Sequence, residues 1–349
     1  MEQNTGPASH TKPQNRFAIV FIILLVIILV LSSQVPLLAL FPWLRERLGV
    51  FSTIFLGIFI EALPFLLLGT LGSGFVEVFL KQDQFQNLFP RNRWLSALTG
   101  SLMGLVFPVC ECGVIPFTRR LFGKGLPISA GISFLLASPV VNPIVIASTA
   151  AAFGAGQMLG LRVGASLLIA FVIGLVFSVA RGPAEILKTR SLPETDFYLH
   201  NPGLHLQPFQ PTRLQQMLVI AGDEFFEMGR YLVIGASLAA ALQALVPQPI
   251  LLALGQGPVI SVLVLMLLAV VLSICSTVDA FVVLGFVGTF SPGAILAFLV
   301  FGPMVDIKST LMYLSVFKKR AVLYLLLLSF GMSFLVGLMV NLLTMGGYG

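Results

Sequence analysis

The sequence predicts an all-α polytopic membrane protein made of two repeats, inverted relative to each other, with interrupted or re-entrant helices and about seven to nine membrane segments. Three observations predict it. Of the 349 residues 57% are hydrophobic and 10% charged, and runs of about 18 or more apolar residues recur along the length, unlike any ordinary soluble domain. Between Pro108 and Pro143 the apolar sequence is broken by Pro-Val-Cys-Glu-Cys-Gly at 108–113, by Arg119, Arg120, Lys124, Gly125 and Pro127, and by Ser-Pro-Val-Val-Asn-Pro at 138–143. A backbone group left unpaired in hydrocarbon costs several kcal/mol, so broken helix at membrane depth is buried in protein or lines a wet path. The third observation is that the second half repeats the landmarks of the first.

The chain divides into residues 1–48, a disordered N-terminal tail and first transmembrane helix; 49–180, the first repeat; 181–213, a polar linker loop; and 214–349, the second repeat. The tail is rich in Gly, Pro, Asn and Thr and cannot bury enough surface to fold alone. The apolar run from Phe17 to Leu40 is too long for a usual signal-peptide core and reads as a retained span. A second span over Val50–Leu80 carries Glu61, Pro64, Gly69, Gly72 and Gly74. A carboxylate at that depth costs on the order of 3 kcal/mol, so Glu61 should face the protein interior and have a partner. Apolar segments follow over Trp94–Val109, Ile128–Phe153 and Met158–Ala180, and five prolines keep the linker irregular.

The repeat is read from four landmarks in the same order. Glu61 and Gly69 are answered by Glu227 and Gly235, Cys110 by Cys275, Pro127 by Pro292, and Phe134-Leu-Leu-Ala-Ser-Pro-Val-Val-Asn142 by Phe298-Leu-Val-Phe-Gly-Pro-Met-Val-Asp306. Duplicated membrane units with breaks at corresponding places point to a transporter site at the repeat interface. If the segments broken at Cys110 and Cys275 enter and return on one side, Lys81, Arg91, Arg93, Arg119, Arg120, Lys124, Arg181, Lys188, Arg213, Lys318, Lys319 and Arg320 all become cytoplasmic. Arg45, Arg47 and Arg162 then remain outside, and the copies are inverted.

The formal charge of +6 comes from basic clusters between apolar segments, which report topology, so no nucleic-acid partner is expected. The three cysteines all lie in apolar segments, which excludes a secreted disulfide framework. Cys110, Glu111 and Cys112 at a helix break form a candidate soft-metal or metalloid site, although cysteine is equally a small apolar packing residue. The spacing Cys-x-Cys is not that of structural zinc. Asn142 and Asp306, at equivalent positions, either coordinate substrate or, for Asp306, pair with Lys308. Asp279 is either the first residue of a return helix or an acid of the site. Glu61 and Glu227 are candidate proton carriers, or for Glu227 half of an ion pair with Arg230 on the next turn. His200 and His205 read as solvated linker residues. No phosphate-binding loop is present, so the chain cannot hydrolyse ATP unaided. There is no His-Glu-x-x-His of a membrane metalloprotease either, and the chain is not expected to be an enzyme.

Pro-Val-Cys-Glu-Cys-Gly-Val-Ile-Pro from Pro108, the Phe134–Pro143 run, Cys-Ser-Thr-Val-Asp-Ala-Phe from Cys275 and the run from Ala297 to Lys308 together resemble the bacterial predicted-permease family that includes the ArsP-type organoarsenical efflux permeases. The resemblance covers about Gly57 to Leu343 and implies a multi-pass permease of the cell membrane. Glu111 inside the Cys-x-Cys pair departs from the arsenical branch and leaves a metal cation open as substrate. The expected function is secondary transport of a small soft ion or metalloid compound, such as a trivalent organoarsenical, along a path lined by Cys110, Glu111, Cys112, Asn142, Cys275, Ser276, Thr277, Asp279 and Asp306. The alternatives are a divalent-cation permease using Glu111 and Asp306, and a non-transporting scaffold or intramembrane enzyme. The partners are the substrate and the lipid bilayer; the pattern asks for no cofactor and sets no oligomeric state.

Overall fold

Helix lengths dictate how this chain can meet a bilayer, because a helix rises 1.5 Å per residue and the hydrocarbon core is about 30 Å thick. The computed structural model describes residues 42–80, 89–90, 92–107, 109–179, 183–188, 212–245 and 257–346. The span expected over 17–40, most of the linker with His200 and His205, and Pro108, Lys81 and Arg91 lie outside them. Among the described residues thirteen α-helices follow in order: α1 (Pro42–Phe79), α2 (Arg93–Leu102), α3 (Glu111–Gly123), α4 (Ile128–Ala137), α5 (Pro143–Phe153), α6 (Gln157–Phe177), α7 (Pro183–Ile186), α8 (Arg213–Leu245), α9 (Pro258–Leu272), α10 (Asp279–Leu284), α11 (Pro292–Met304), α12 (Ile307–Val316) and α13 (Lys319–Gly346). Among the described residues no strand is present. Five segments are long and apolar enough to cross a membrane, with α11 and α12 together forming one of them. The chain is an all-α, multi-pass membrane protein.

The other helices are short for local reasons. Proline lacks the N–H that a helix interior needs but suits the first turn, and Pro143, Pro258 and Pro292 stand at the starts of α5, α9 and α11. Asn142 caps α5 by accepting from the Ile144 N–H at 2.9 Å, and Asp306 caps α12 by accepting from the Ser309 N–H at 2.6 Å. Helices of 10 to 13 residues, such as α2, α3 and α4, are about half a bilayer long. α3 and α4 are buried among longer neighbours, as broken membrane helix has to be, while α2 buries one face through Ser96, Ala97, Gly100 and Ser101.

Two sets of six helices, α1 to α6 and α8 to α13, run in the same element order, and their packing corresponds. The long helices α1 and α8 pack on each other. Within the first set α2, α4 and α6 pack together, and within the second α9, α11 and α13 do the same. The broken helices are exchanged: α3 of the first set packs on α12 of the second, and α10 of the second on α5 of the first. That exchange brings the two interrupted motifs to one place.

Two glycines set the distances there. A Cβ at Gly69 of α1 would stand 2.3 Å from the Gly113 Cα, and one at Gly235 of α8 would stand 2.6 Å from the Lys308 Cα. The repeated glycine thus lets each long helix approach the backbone of a broken one.

The structure differs from the expectation at several basic residues. Arg119 and Arg120 are not loop charges but lie in α3, and Arg162, expected outside the membrane, is fully buried within α6. Counting loop charges assumes that each one meets water, and these do not. α1 also begins earlier than the expected span, at Pro42.

Gly69→Ala is expected to destabilise the purified protein by about 1–3 kcal/mol through overpacking of backbone on backbone. Gly57→Ala in the same helix, where nothing lies within 4 Å of the added carbon, should be neutral or slightly stabilising. The loss of monodisperse protein with heating, followed by size-exclusion chromatography in detergent, compares the two.

Candidate functional site

Helix α3 starts at Glu111, directly after Cys110, because the extended backbone at Cys110 (φ −77°, ψ 173°) ends the preceding segment. The acid therefore sits in the first turn, where free N–H groups and the helix dipole favour negative charge. α12 starts just after Asp306, and α10 starts at Asp279. The first turns of α3 and α12 face each other across the repeat boundary.

Glu111 is the centre of this meeting and is buried. Its Oε1 lies 3.1 Å from the Lys308 Nζ. Its Oε2 accepts from the Ser276 hydroxyl at 3.4 Å and faces the Cys275 Sγ at 3.8 Å. By the repeat offset that pairs Cys110 with Cys275, Ser276 is the counterpart of Glu111. Counterparts that touch must lie near the local axis relating the two halves, so the site sits at the repeat interface.

Lys308, also buried, is held from three directions. Beyond Glu111 it meets the Asp306 Oδ2 at 3.4 Å and donates to the Ser273 carbonyl at 2.9 Å. Ser273 ends α9 in the left-handed region (φ 47°, ψ 41°), unusual for a residue with a side chain. Its hydroxyl accepts from the Ile307 N–H at 3.3 Å, so the turn is tied to the start of α12. Cys112 and Cys275 lie within electrostatic reach of the same ammonium. Half-buried Glu61 of α1 accepts from the Thr277 hydroxyl at 3.4 Å, the partner expected of it.

Asp279 belongs to a second buried pair beside the first. Its Oδ2 meets a guanidinium nitrogen of Arg162 at 2.6 Å, and the other terminal nitrogen of Arg162 donates to the Thr149 hydroxyl at 2.7 Å. The Ser148 hydroxyl, one residue earlier on α5, donates to the Thr277 carbonyl. Of the expected residues, Cys110, Glu111, Cys112, Cys275, Ser276, Thr277 and Asp306 therefore gather with Lys308 and Glu61, while Asp279 is a neighbour held by Arg162. Asn142 is a buried helix cap whose oxygen is spent on the Ile144 N–H.

The expected pair of Glu227 with Arg230 is replaced by another. Glu227 meets Arg119 at 3.1 Å across to α3, and Arg230 donates only to the Glu227 carbonyl and lies over the Tyr231 ring. Arg119 and Arg120 both hold buried Glu224, at 2.8 and 2.9 Å, and Arg120 and Lys124 reach Glu77 of α1. Glu227 thus belongs to a network that fastens the C-terminal half of α3 to α1 and α8, away from Glu111. Tertiary partners in hydrocarbon outbid a partner on the next turn because a charge without full pairing is costly there.

Sequence reading missed Arg162, Ser273, Glu224 and Glu77. Arg162 carried a signal, a charge inside an apolar run, that was absorbed into the loop count. Ser273 carried none, since a left-handed serine is set by its surroundings. Among the described residues no group of three or more His, Cys, Asp or Glu is arranged to hold a metal ion. Glu111 faces Lys308 instead of completing a set with the two thiols beside it.

A profile of the family described as Predicted permease, of the ArsP type, matches residues 47–342. The chain is 46% identical over 279 residues to the UPF0718 protein YcgR of Bacillus subtilis, covering 79% of this chain and 91% of that one. It is 38% identical over 287 residues to a Streptococcus mutans protein described as a candidate subunit of a two-component membrane permease complex, covering 82% and 93%. It is 22% identical over 160 residues to the UPF0718 protein MJ0584 of Methanocaldococcus jannaschii, covering 45% and 44%. No solved structure matches the chain significantly.

Removing one partner of a buried ion pair strands the other, at a cost of about 3–5 kcal/mol. Arg162→Met and Asp279→Leu should each destabilise the protein by that order, whereas the double variant recovers most of the loss. Thermal unfolding of the four proteins in one detergent forms the cycle, and additive losses would show that the two side chains are not coupled.

Proposed function

The chain belongs to the ArsP-type predicted-permease family, and from that premise we propose that it is a secondary permease for a small thiophilic ion or metalloid compound, of which a trivalent organoarsenical is one example. Membership in the family makes it a membrane permease and points to a transporter rather than an enzyme. The observation that carries the substrate class is the placing of the cysteines. All three in the sequence are buried on the two interrupted segments, two from one half flanking Glu111 and one from the other facing its carboxylate. Thiolates select soft ions and carboxylates hard ones. A thiophilic cargo entering at the repeat interface would meet Cys110 and Cys112 from one side and Cys275 from the other. Helix ends meeting at such an interface are the usual seat of a transported group.

A second reading, a divalent-cation permease, is favoured by a different observation. Glu111 and Asp306, from opposite halves, converge on one ammonium that a dication could replace. For either cargo, the description of the streptococcal relative supports a second membrane polypeptide as a partner of this chain.

Transport of a trivalent phenylarsenical and of Zn²⁺ by full-length protein in proteoliposomes separates the readings. On the first, Cys110→Ser or Cys112→Ser lowers arsenical movement by about tenfold or more, one ligand interaction of a little over 1 kcal/mol. Loss of Zn²⁺ movement in Glu111→Gln, with both serine variants still active, gives the second reading instead. If neither probe moves in wild type with or without the partner polypeptide, both substrate classes are wrong.

A further inference from the structure

The mechanism above leaves a charge unaccounted for. Around Lys308 stand Glu111 from α3, Asp306 at the start of its own helix and half-buried Glu61 from α1, three acids to one base. Among the described residues the remaining neighbours supply no second cation. Cys112 and Cys275 are thiols, Tyr313 gives its hydroxyl to the Met304 carbonyl, and α8 meets Lys308 with Gly235 while, of its three acids, Glu224 and Glu227 are held by Arg119 and Asp223 is exposed. The buried guanidinium of Arg162 is already paired with Asp279. Glu61 is only partly buried and can be solvated, but Glu111 and Asp306 are each at most 2% exposed. An uncompensated charge at such a place costs several kcal/mol.

Hydrogen bonding shows where compensation is lacking. Each of the two carboxylates has one oxygen bound elsewhere, Glu111 by Ser276 and Asp306 by the Ser309 N–H. The remaining oxygen of each has no partner except the ion-pair contact with Lys308. One ammonium is therefore shared by two carboxylates, one from each half of the molecule.

Lys308 also has a second seat. The carbonyl of Ser273 is at the C-terminal end of α9, where helix carbonyls are unsatisfied and the dipole favours a cation. It already accepts from the Lys308 Nζ at 2.9 Å. The backbone of Lys308 is pinned, with Gly235 against its Cα and Ile307 tied to the Ser273 hydroxyl, so only the flexible stem is free to shift.

We propose that Glu111 and Asp306 share one exchangeable proton, and that Lys308 is a tethered ammonium that yields these carboxylates to arriving cargo while keeping its hydrogen bond to the Ser273 carbonyl. The proton comes from and returns to water, no covalent bond other than O–H is made or broken, and Lys308 keeps its own proton throughout. Cargo binding releases the shared proton, which makes the permease a proton exchanger. The proposal rests on the permease reading for its coupling, but the shared proton itself can be tested without cargo.

The test is infrared spectroscopy of purified full-length protein in lipid nanodiscs at neutral pH, following the C=O stretch of protonated carboxyl groups. Wild type is expected to show a buried protonated carboxyl. Glu111→Gln and Asp306→Asn, both nearly isosteric, should each abolish it, because one acid then remains for one ammonium. Lys308→Met should about double it, since two unpaired buried acids both take up protons, and Lys308→Arg should return it to the wild-type level. No band in wild type, or a band lost only in Glu61→Gln or Asp279→Asn, overturns the proposal. If Lys308→Met does not fold, the Gln and Asn variants still decide. In proteoliposomes with a trapped pH dye, movement of the phenylarsenical or Zn²⁺ should drive an opposite proton flux that Glu111→Gln removes. Probe movement without proton flux overturns the coupling and leaves the permease reading intact. The expected infrared pattern with no movement of either probe supports the shared proton and counts against the permease reading.

Discussion

Everything at the centre of this protein depends on one constraint: an ionised carboxylate cannot stand alone where water is excluded. Glu111 meets that constraint with a lysine from the other half of the chain, 197 residues further along. The ion pair binds α3 to α12, and these helices are packed on each other. Breaking it would leave two buried charges exposed to low dielectric, and Asp306 would lose its counter-ion as well. The pair therefore fixes how the halves meet, in a site made of short helix ends that would otherwise have little to specify their mutual position.

The same constraint explains the second and third clusters. Arg162 and Asp279 join α6 to α10, again across the halves, with Thr149 of α5 taking a further guanidinium N–H. Arg119, Arg120 and Lys124 join α3 to α1 and α8 through Glu224, Glu227 and Glu77. α3 is consequently held at both ends by charge, at its start through Glu111 and at its end through the arginines. Between those ends Gly113 lies against Gly69 without room for a side chain. A short helix held in this way behaves as a rigid post between the two halves.

The architecture was legible because hydrocarbon punishes polar backbone, so each break in an apolar run had to mean something. The breaks at 138–142 and 304–306, and the start of a helix at Glu111, follow from proline, asparagine and aspartate placed where their backbone preferences end or begin helices. The meeting of Glu111 with the Cys275 segment was legible from the repeat alone. The pairing of Asp306 with Lys308, two residues on, was also readable, but which distant base answers which acid was not. Arg230 lies one turn from Glu227 in sequence, but the fold brings Arg119 to it from 108 residues away. Pairing in a membrane interior is a property of the three-dimensional arrangement, whereas i,i+3 and i,i+4 neighbours are worth only a few tenths of a kcal/mol. Arg162 was misread for a related reason: a charge near the start of a span looks like a loop residue until its acid is seen beside it.

The halves share a backbone plan but not a charge plan, and the difference is systematic. Where the second half has Asp306 and Lys308 at the start of α12, the first has Asn142 and Ile144 at the start of α5. Where the first has Glu111, the second has Ser276, and Glu61 facing the site answers to Glu227 turned into the arginine network. A doubled charged site would place two lysines and four acids close to one axis, where like charges repel at low dielectric and desolvation is paid twice. Having one lysine at the interface keeps the repeat geometry, with its exchanged packing of α3 on α12 and α10 on α5, and leaves the buried Arg162–Asp279 pair as the ionic contact on the side of α10. The second half supplies Lys308 and, from Ser276 and Thr277, hydrogen bonds to Glu111 and Glu61 of the first, so the two copies have become complementary parts of one site.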